Sequence, residues 1–355
     1  MSMATDAPAG AETHTPRKVI IDTDPGVDDT FAILLALRSP EIQVIGLTTL
    51  FGNVSTSTAT LNSLHLLERF GRSDIPVYEG HHTSIDGALK PHLADFVHGD
   101  DGFGNTGVPV VSGKAVPNVS AAEFIVKMAN EFPGEITVIA LASATNLALA
   151  LALDGNAIIQ NLHQIVHLGG AFFTNGNVNA SAEANIFGDA LAADLLYGSG
   201  ANVLVVGLDV TQKLKFTEKD LERLAVVTDT HTENARPKKR PSDVSLHETN
   251  EHTLFLHHIA KFYQAFHART TNFEGIFMHD PACVLLAFRA DLFKTKKGPV
   301  RVATSGLLKG QTVLDTGDKK WTFTNEWSDR PSVEVALDVD VDKVMKLFRE
   351  RYGIA

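Results

Sequence analysis

Asp22, Asp24, Asp28 and Asp29 follow directly on the apolar run Val19–Ile21, with Pro25 and Gly26 between the two pairs. Carboxylates packed this closely repel one another, and removing them from water is costly without compensation. A divalent cation held by oxygen ligands would supply that compensation. Helix capping is the competing reading, since an acid in a first helical turn favours the macrodipole. Capping accounts for Asp28 or Asp29 but hardly for Asp22 and Asp24 as well. Neighbours entering a helix diverge by about 100°, so Asp28 and Asp29 are expected to face different groups.

Other segments carry residues suited to the same chemistry. In Met278–Pro281, Asp280 could cap the helical run Val284–Phe288 with Pro281 at its first position, or give a further oxygen to the cation. His279 beside it offers a proton donor near neutrality. Gly169 and Gly170 mark a turn, followed by Asn175, Asn177, Asn179, Glu183 and Asn185. Extended alternation would set Glu183 and Asn185 on one side, as a loop that binds sugar hydroxyls needs. The glycine-rich stretch Phe96–Asn105 brings His98, either to a pocket or to an ordinary surface turn. His81, His82, His257 and His258 gain no role from spacing. There is no H-E-x-x-H or Cys/His pattern, and the first turn lacks G-x-G-x-x-G.

These residues need a scaffold, and the hydrophobic pattern predicts one. Strands are expected at Val19–Asp22, Ile42–Leu50, Glu135–Leu141, Gln164–Leu168 and Asn202–Leu208. Helices are expected from Phe31, at Thr58–Phe70, Ala121–Phe132, Asn146–Leu153 and Ala190–Leu196. Such alternation implies an α/β fold: an open, mostly parallel sheet with helices on both faces. Ligands of such sheets bind beyond the carboxyl ends of the strands, where Asp22, Asp24, Thr48–Asn53, Ser143–Asn146 and Gly169–Asn185 fall. After Val210 the alternation breaks into elaborations. These are a helix at 217–227, a charged loop at Val227–Asn250, a long helix at His252–Thr270, strands at Val300–Ala303 and Val333–Leu337, and a helix at Val341–Arg351. No internal repeat or interdomain linker is seen, so residues 18–355 read as one domain.

Bulk properties exclude several classes. The net charge of −11, from 31 basic and 42 acidic residues, opposes a nucleic-acid partner. The basic run Lys238–Arg240 reads as a solvated loop. No segment approaches a membrane span. With one cysteine, Cys283, there is neither an internal disulfide nor a cysteine zinc cluster; a buried thiol and a cytoplasmic setting are expected. Residues 1–17 lack the apolar stretch of a secretory signal and are expected to be a disordered tail.

The order of motifs resembles the nucleoside hydrolases, most closely their inosine/uridine type and plant-type members. It runs through Asp22–Asp29, Thr48–Asn53, Ala144–Ala148, Leu168–Gly170, Glu183–Phe187 and His279–Pro281, across roughly residues 18–350. The resemblance implies a Rossmann-like nucleoside hydrolase fold and calcium-dependent hydrolysis of the N-glycosidic bond of ribonucleosides. It implies Ca²⁺ ligation by Asp24, Asp29, Asp280 and the Thr145 carbonyl. Asp24 would take a proton from the water that attacks the anomeric carbon, with Asn53 beside that water and Asp22 orienting the others. Asp28, Asn177, Glu183 and Asn185 would hold the ribose hydroxyls, and His279 would face the base and help it leave. His98, Leu168, Tyr263 and Thr271 are placed with the substrate-binding residues. Homo-oligomers, dimers or tetramers, are implied too.

The chain departs from the pattern at Leu168, where many members carry methionine, and at Thr271, where pyrimidine-preferring members often carry tyrosine. The base is therefore left open among uracil, hypoxanthine, xanthine and cytokinin-type purines. Two rival readings share the acids. A haloacid dehalogenase-type, Mg²⁺-dependent phosphohydrolase also begins with Asp-x-Asp, but it fits Pro25-Gly26 and the following acids poorly and lacks a partner lysine. A non-catalytic, Ca²⁺-dependent sugar-binding protein would not need His279 or Asn53.

Overall fold

A computed structural model of the chain describes residues 15–88, 93–107, 111–226 and 246–355. The expected tail lies outside the described residues except at 15–17, where Arg17 already begins a strand. In chain order the strands are β1 (Arg17–Thr23), β2 (Ile42–Thr49), β3 (Val77–Glu79), β4 (Ile136–Ala140), β5 (Gln164–Leu168), β6 (Val203–Val206), β7 (Lys215–Thr217), β8 (Gly275–Phe277), β9 (Phe293–Val302), β10 (Thr312–Leu314) and β11 (Ser332–Val339). Nine of them form one sheet in the order β10-β9-β11-β6-β5-β4-β1-β2-β3, while β7 and β8 pair separately. Pairing is parallel from β3 across to β11 and antiparallel only where β9 meets β11 and β10. The α/β expectation holds.

Strand β1 shows why its sequence is apolar throughout. Val19 and Ile21 pack into the core on one side of the sheet, among Phe31, Leu34 and Leu286. Ile20 packs into the core on the other, among Ile125, Val138 and Leu147. Alternating side chains of a strand covered on both faces must all be apolar. The chain runs from β1 to β2 and β3 on one side, then returns to place β4, β5 and β6 on the other. The gap between β1 and β4 is thus the topological switch point, where a crevice opens beyond the strand ends. Asp22 and Asp24 stand at its lip.

The parallel strands and their helices fall within a few residues of expectation, and the short elements differ. β3, β7, β8, β10 and the helical turn Asp95–His98 were not anticipated, because three or four residues are too few to show a period. The long helix spans Leu246–Thr271, so residues 246–250 of the expected charged loop are helical. Residues 227–245, including Lys238–Arg240, lie outside the described residues. Cys283 is buried as expected, its thiol directed at the Val166 carbonyl. No described helix is long and apolar enough to cross a membrane.

Candidate active site

Asp22 ends β1 as a tie between strands. Its Oδ1 accepts from Thr48 Oγ1 of β2 at 2.6 Å and from Asn146 Nδ2 at 2.8 Å. Asn146 also holds the Thr49 carbonyl and receives the His81 N–H. Burial pushes the Asp22 carboxyl up to about 6, against the lowering effect of these hydrogen bonds.

Two residues further on, Asp24 Oδ2 accepts the Asn53 main-chain N–H at 2.6 Å. The turn that delivers it requires glycine at position 52, since a Cβ there would lie 1.8 Å from Asp24 Oδ2. The Asn53 amide also donates to Asp29 Oδ2 at 2.9 Å, bridging the two acids. Asp29 accepts Thr23 Oγ1 and Gly26 N–H besides. Gly26 precedes the helix Val27–Leu37, so Asp28 and Asp29 fall in its first turn. Side chains there lean back toward the N-terminus, and both acids reach one place. Their hydrogen-bond partners nevertheless differ, Tyr263 for Asp28 and Thr23, Gly26 and Asn53 for Asp29.

Asp280 comes from far along the chain. It was a candidate cap with Pro281 at the first helical position, but the helix is His279–Phe288 with Met278 as its cap residue. Asp280 therefore sits one residue inside, and its carboxyl meets the acids of the first helix. Oxygens of Asp28, Asp29 and Asp280 lie within 4.8 Å of one another, all buried. Burial raises the Asp280 carboxyl well above its ordinary range, and Asp28, Asp29 and Asp24 raise it further. Burial, then Asp29, pushes Asp28 up to about 8. Among the described residues Asp28 Oδ1 meets no hydrogen-bond donor. Buried carboxylates in mutual repulsion, one with an oxygen unsatisfied, form an all-oxygen set suited to a hard divalent cation. Asp28, rather than Asp24, completes the tight group; Asp24 stands beside it, close enough to act on Asp280.

Rings line the adjoining wall. Tyr263 donates its hydroxyl to Asp28 Oδ2 at 3.2 Å and stacks on His98, with centroids 5.1 Å apart. His98 is buried and accepts the Val27 N–H at Nδ1, pinning the start of the acidic helix. On its other side Tyr263 meets His267 at 4.2 Å, and His267 lies 6.5 Å from His279. His279 is held through Nδ1 by Thr211 Oγ1 at 2.6 Å, and burial lowers its pKa to about 4.

The Gly169–Asn185 segment is partly as expected. Glu183 is the buried cap of the short helix Ala184–Gly188, accepting N–H groups of Asn185, Ile186 and Gly170. It and Asn185 therefore open a helix instead of alternating along extended chain. Asn185 donates its amide to the carbonyls of Leu141 and Leu168, closing β4 and β5. Asn177 is exposed, with its N–H on the Ala182 carbonyl, and makes no hydrogen bond to the acids. Thr145 gives its hydroxyl to Asp189 at 2.8 Å. Thr271 is the exposed last residue of its helix, its hydroxyl turned back to the His267 carbonyl. His267, one turn earlier, is the buried residue beside His279 that spacing did not single out. Thr211 was missed as well, since it ends a helix of four residues, Leu208–Thr211, too short to show a period.

A family model described as inosine-uridine preferring nucleoside hydrolase matches residues 19–346. The chain is 46% identical over 335 residues to a probable uridine nucleosidase 2 of Arabidopsis thaliana, covering 94% of this chain and 97% of the relative. Among solved structures it is similar to a plant nucleoside hydrolase, the PpNRh1 enzyme, with TM-score 0.85, 43% identity and coverage of 95% and 99% of the two chains. A purine-preferring ribonucleoside hydrolase from Gardnerella vaginalis gives TM-score 0.82 at 30% identity, with coverage of 95% and 99%.

Proposed function

The chain belongs to the inosine-uridine preferring nucleoside hydrolase family and is a nucleoside N-ribohydrolase, and we propose that it splits uridine to uracil and ribose with Ca²⁺ as its resident cation. The observation that carries this reading is the convergence of Asp28, Asp29 and Asp280, with Asp24 beside them, at the switch point of the sheet. Uridine is put first because plant relatives are named for it; inosine, xanthosine and cytokinin ribosides are the competitors.

A calcium ion held by Asp24, Asp29, Asp280 and the Thr145 carbonyl, with Asp28 in reach, would contribute Lewis acidity toward water and the ribose diol. Asp24 takes the proton of the attacking water, with Asn53 holding both Asp24 and that water in register. Asp28, Asn177, Glu183 and Asn185 bind ribose hydroxyls, and Asp22 keeps β1 and β2 aligned beneath them. Cleavage develops positive charge on the sugar, by analogy with O-glycoside hydrolysis, and the anionic cluster stabilises it. His98, Leu168, Tyr263 and Thr271 belong to the base end, and His279 donates to the departing base. We further read residues 18–355 as one domain of a cytoplasmic homo-oligomer.

The deciding assay incubates purified protein with uridine, inosine, xanthosine, a cytokinin riboside and uridine monophosphate, with calcium and after chelation. Free base plus ribose, fastest from uridine, is the expected result. Phosphate release would favour the phosphohydrolase, and binding without product the sugar-binding protein. Tyr263→Phe tests the ring wall. Losing one hydrogen bond to a carboxylate costs about 1.5–3 kcal/mol, so kcat/KM should fall about 10- to 100-fold, mostly through KM. An unchanged KM for uridine would remove Asp28 from ribose binding.

A further inference from the structure

We propose that Thr211 is a positioning residue: it donates its hydroxyl to Nδ1 of His279 and thereby keeps the ring proton on Nε2, the nitrogen left for the departing base. The inference rests on the reading above that His279 meets that base.

The pair is held together from both sides. Thr211 ends the short helix Leu208–Thr211 that leaves β6. A Cβ at Gly207, just before it, would lie 2.4 Å from the Gly170 carbonyl, so this segment is pressed against the Gly169–Gly170 turn. Three residues after Thr211, the Leu214 carbonyl accepts the Met278 N–H at 3.0 Å. Lys215 then pairs with Phe277 in the β7–β8 ribbon. The segment leading into His279 is thus fastened to the segment leaving Thr211, and their 2.6 Å contact is fixed by backbone.

The direction of the bond follows from satisfaction. Thr211 is fully buried, and among the described residues its hydroxyl meets one hydrogen-bond partner, His279 Nδ1. If His279 donated instead, the threonine proton would be left buried without an acceptor, which is unfavourable. A β-branched side chain has little freedom to turn away. Nδ1 therefore accepts, and the proton of the neutral ring is on Nε2. No described residue hydrogen-bonds Nε2, and His279 as a whole is half-buried. When the bond between the anomeric carbon and the base nitrogen breaks, its electron pair leaves with the base. An Nε2–H group stabilises that charge as a neutral hydrogen-bond donor, whereas the other tautomer would direct a lone pair at it.

The test uses full-length, calcium-saturated protein labelled with ¹⁵N-histidine, with His279→Gln identifying the His279 signals. In the wild type, Nδ1 should resonate as an unprotonated, hydrogen-bonded nitrogen and Nε2 as a protonated one. Thr211→Val keeps the shape and removes the donor. It should mix the two tautomers and lower kcat on uridine about 10- to 100-fold with KM within about threefold, while Thr211→Ser should restore kcat to within about threefold. A protonated Nδ1 in the wild type, or a Thr211→Val enzyme with wild-type kcat, overturns the proposal. If no nucleoside is hydrolysed, the proposed function fails, while the nitrogen signals still decide the tautomer.

Discussion

Asp24→Asn will reduce turnover of uridine at least about 1,000-fold, within the range that a positioned general base contributes, and leave the fold intact. The side chain is nearly fully buried, which usually makes a polar substitution damaging, yet the local ledger favours tolerance here. Asparagine keeps an oxygen for the Asn53 N–H that Asp24 Oδ2 now accepts. It also removes one of the charges that raise Asp280, relieving repulsion that the metal-free fold must carry. The expected pattern is a melting temperature in chelator equal to or above that of the wild type, with kcat near background at saturating calcium. Asp24→Ala should behave alike in turnover but lose some stability, because the Asn53 N–H is then left without its acceptor. Should Asp24→Asn retain kcat within tenfold of wild type when saturated with calcium, Asp24 is not the base.

How far the sequence alone reaches is clear from the same residues. Asp22, Asp24, Asp28 and Asp29 could be placed at a strand end because an apolar run, Pro-Gly and a helical period are all local signals. That Asp280 joins the same cation was open from its own segment, where capping served equally well; the resemblance implied it, since nothing local ties residues so distant in the chain. Which acids stand closest was not legible. Asp28 enters the tight group because first-turn side chains lean back over the helix end, and wheel phase alone sends it elsewhere. The partners that orient the acids were hidden for another reason. Thr48 and Asn146 reach Asp22 through strand register, and register is a property of pairing, not of either segment. His267 and Thr211 depend on how the long helix and the β7–β8 ribbon dock, which no spacing rule supplies. The sheet itself was readable because its central strands β1, β4 and β6 are largely apolar on both faces; β3, β7, β8 and β10 were too short.

Removing calcium should make stability fall as pH rises, and restoring it should reverse the trend. The sign follows from the direction of the shifts. Asp28 titrates at about 8 in the folded protein against an ordinary 3.8, and Asp22 at about 6. A carboxyl whose folded pKa is raised binds more protons folded than unfolded between the two values. Its contribution is therefore fully present below about pH 4 and drains away as pH climbs, through about 6 for Asp22 and about 8 for Asp28. Metal-free protein should accordingly melt at a higher temperature at pH 5 than at pH 8, provided the exposed ion pairs are compared at equal ionic strength. A bound cation favours the charged carboxylates and removes that penalty. At a hundred times its dissociation constant, calcium adds about 2.7 kcal/mol, which is about 4 °C for a chain of this size, with the larger shift at pH 8. Chelation at pH 8 should lower the melting temperature by that amount and abolish uridine hydrolysis, and calcium should return both. A melting temperature in chelator that rises from pH 5 to pH 8, or that ignores calcium at pH 8, would mean that Asp24, Asp29 and Asp280 do not hold an ion beside Asp28.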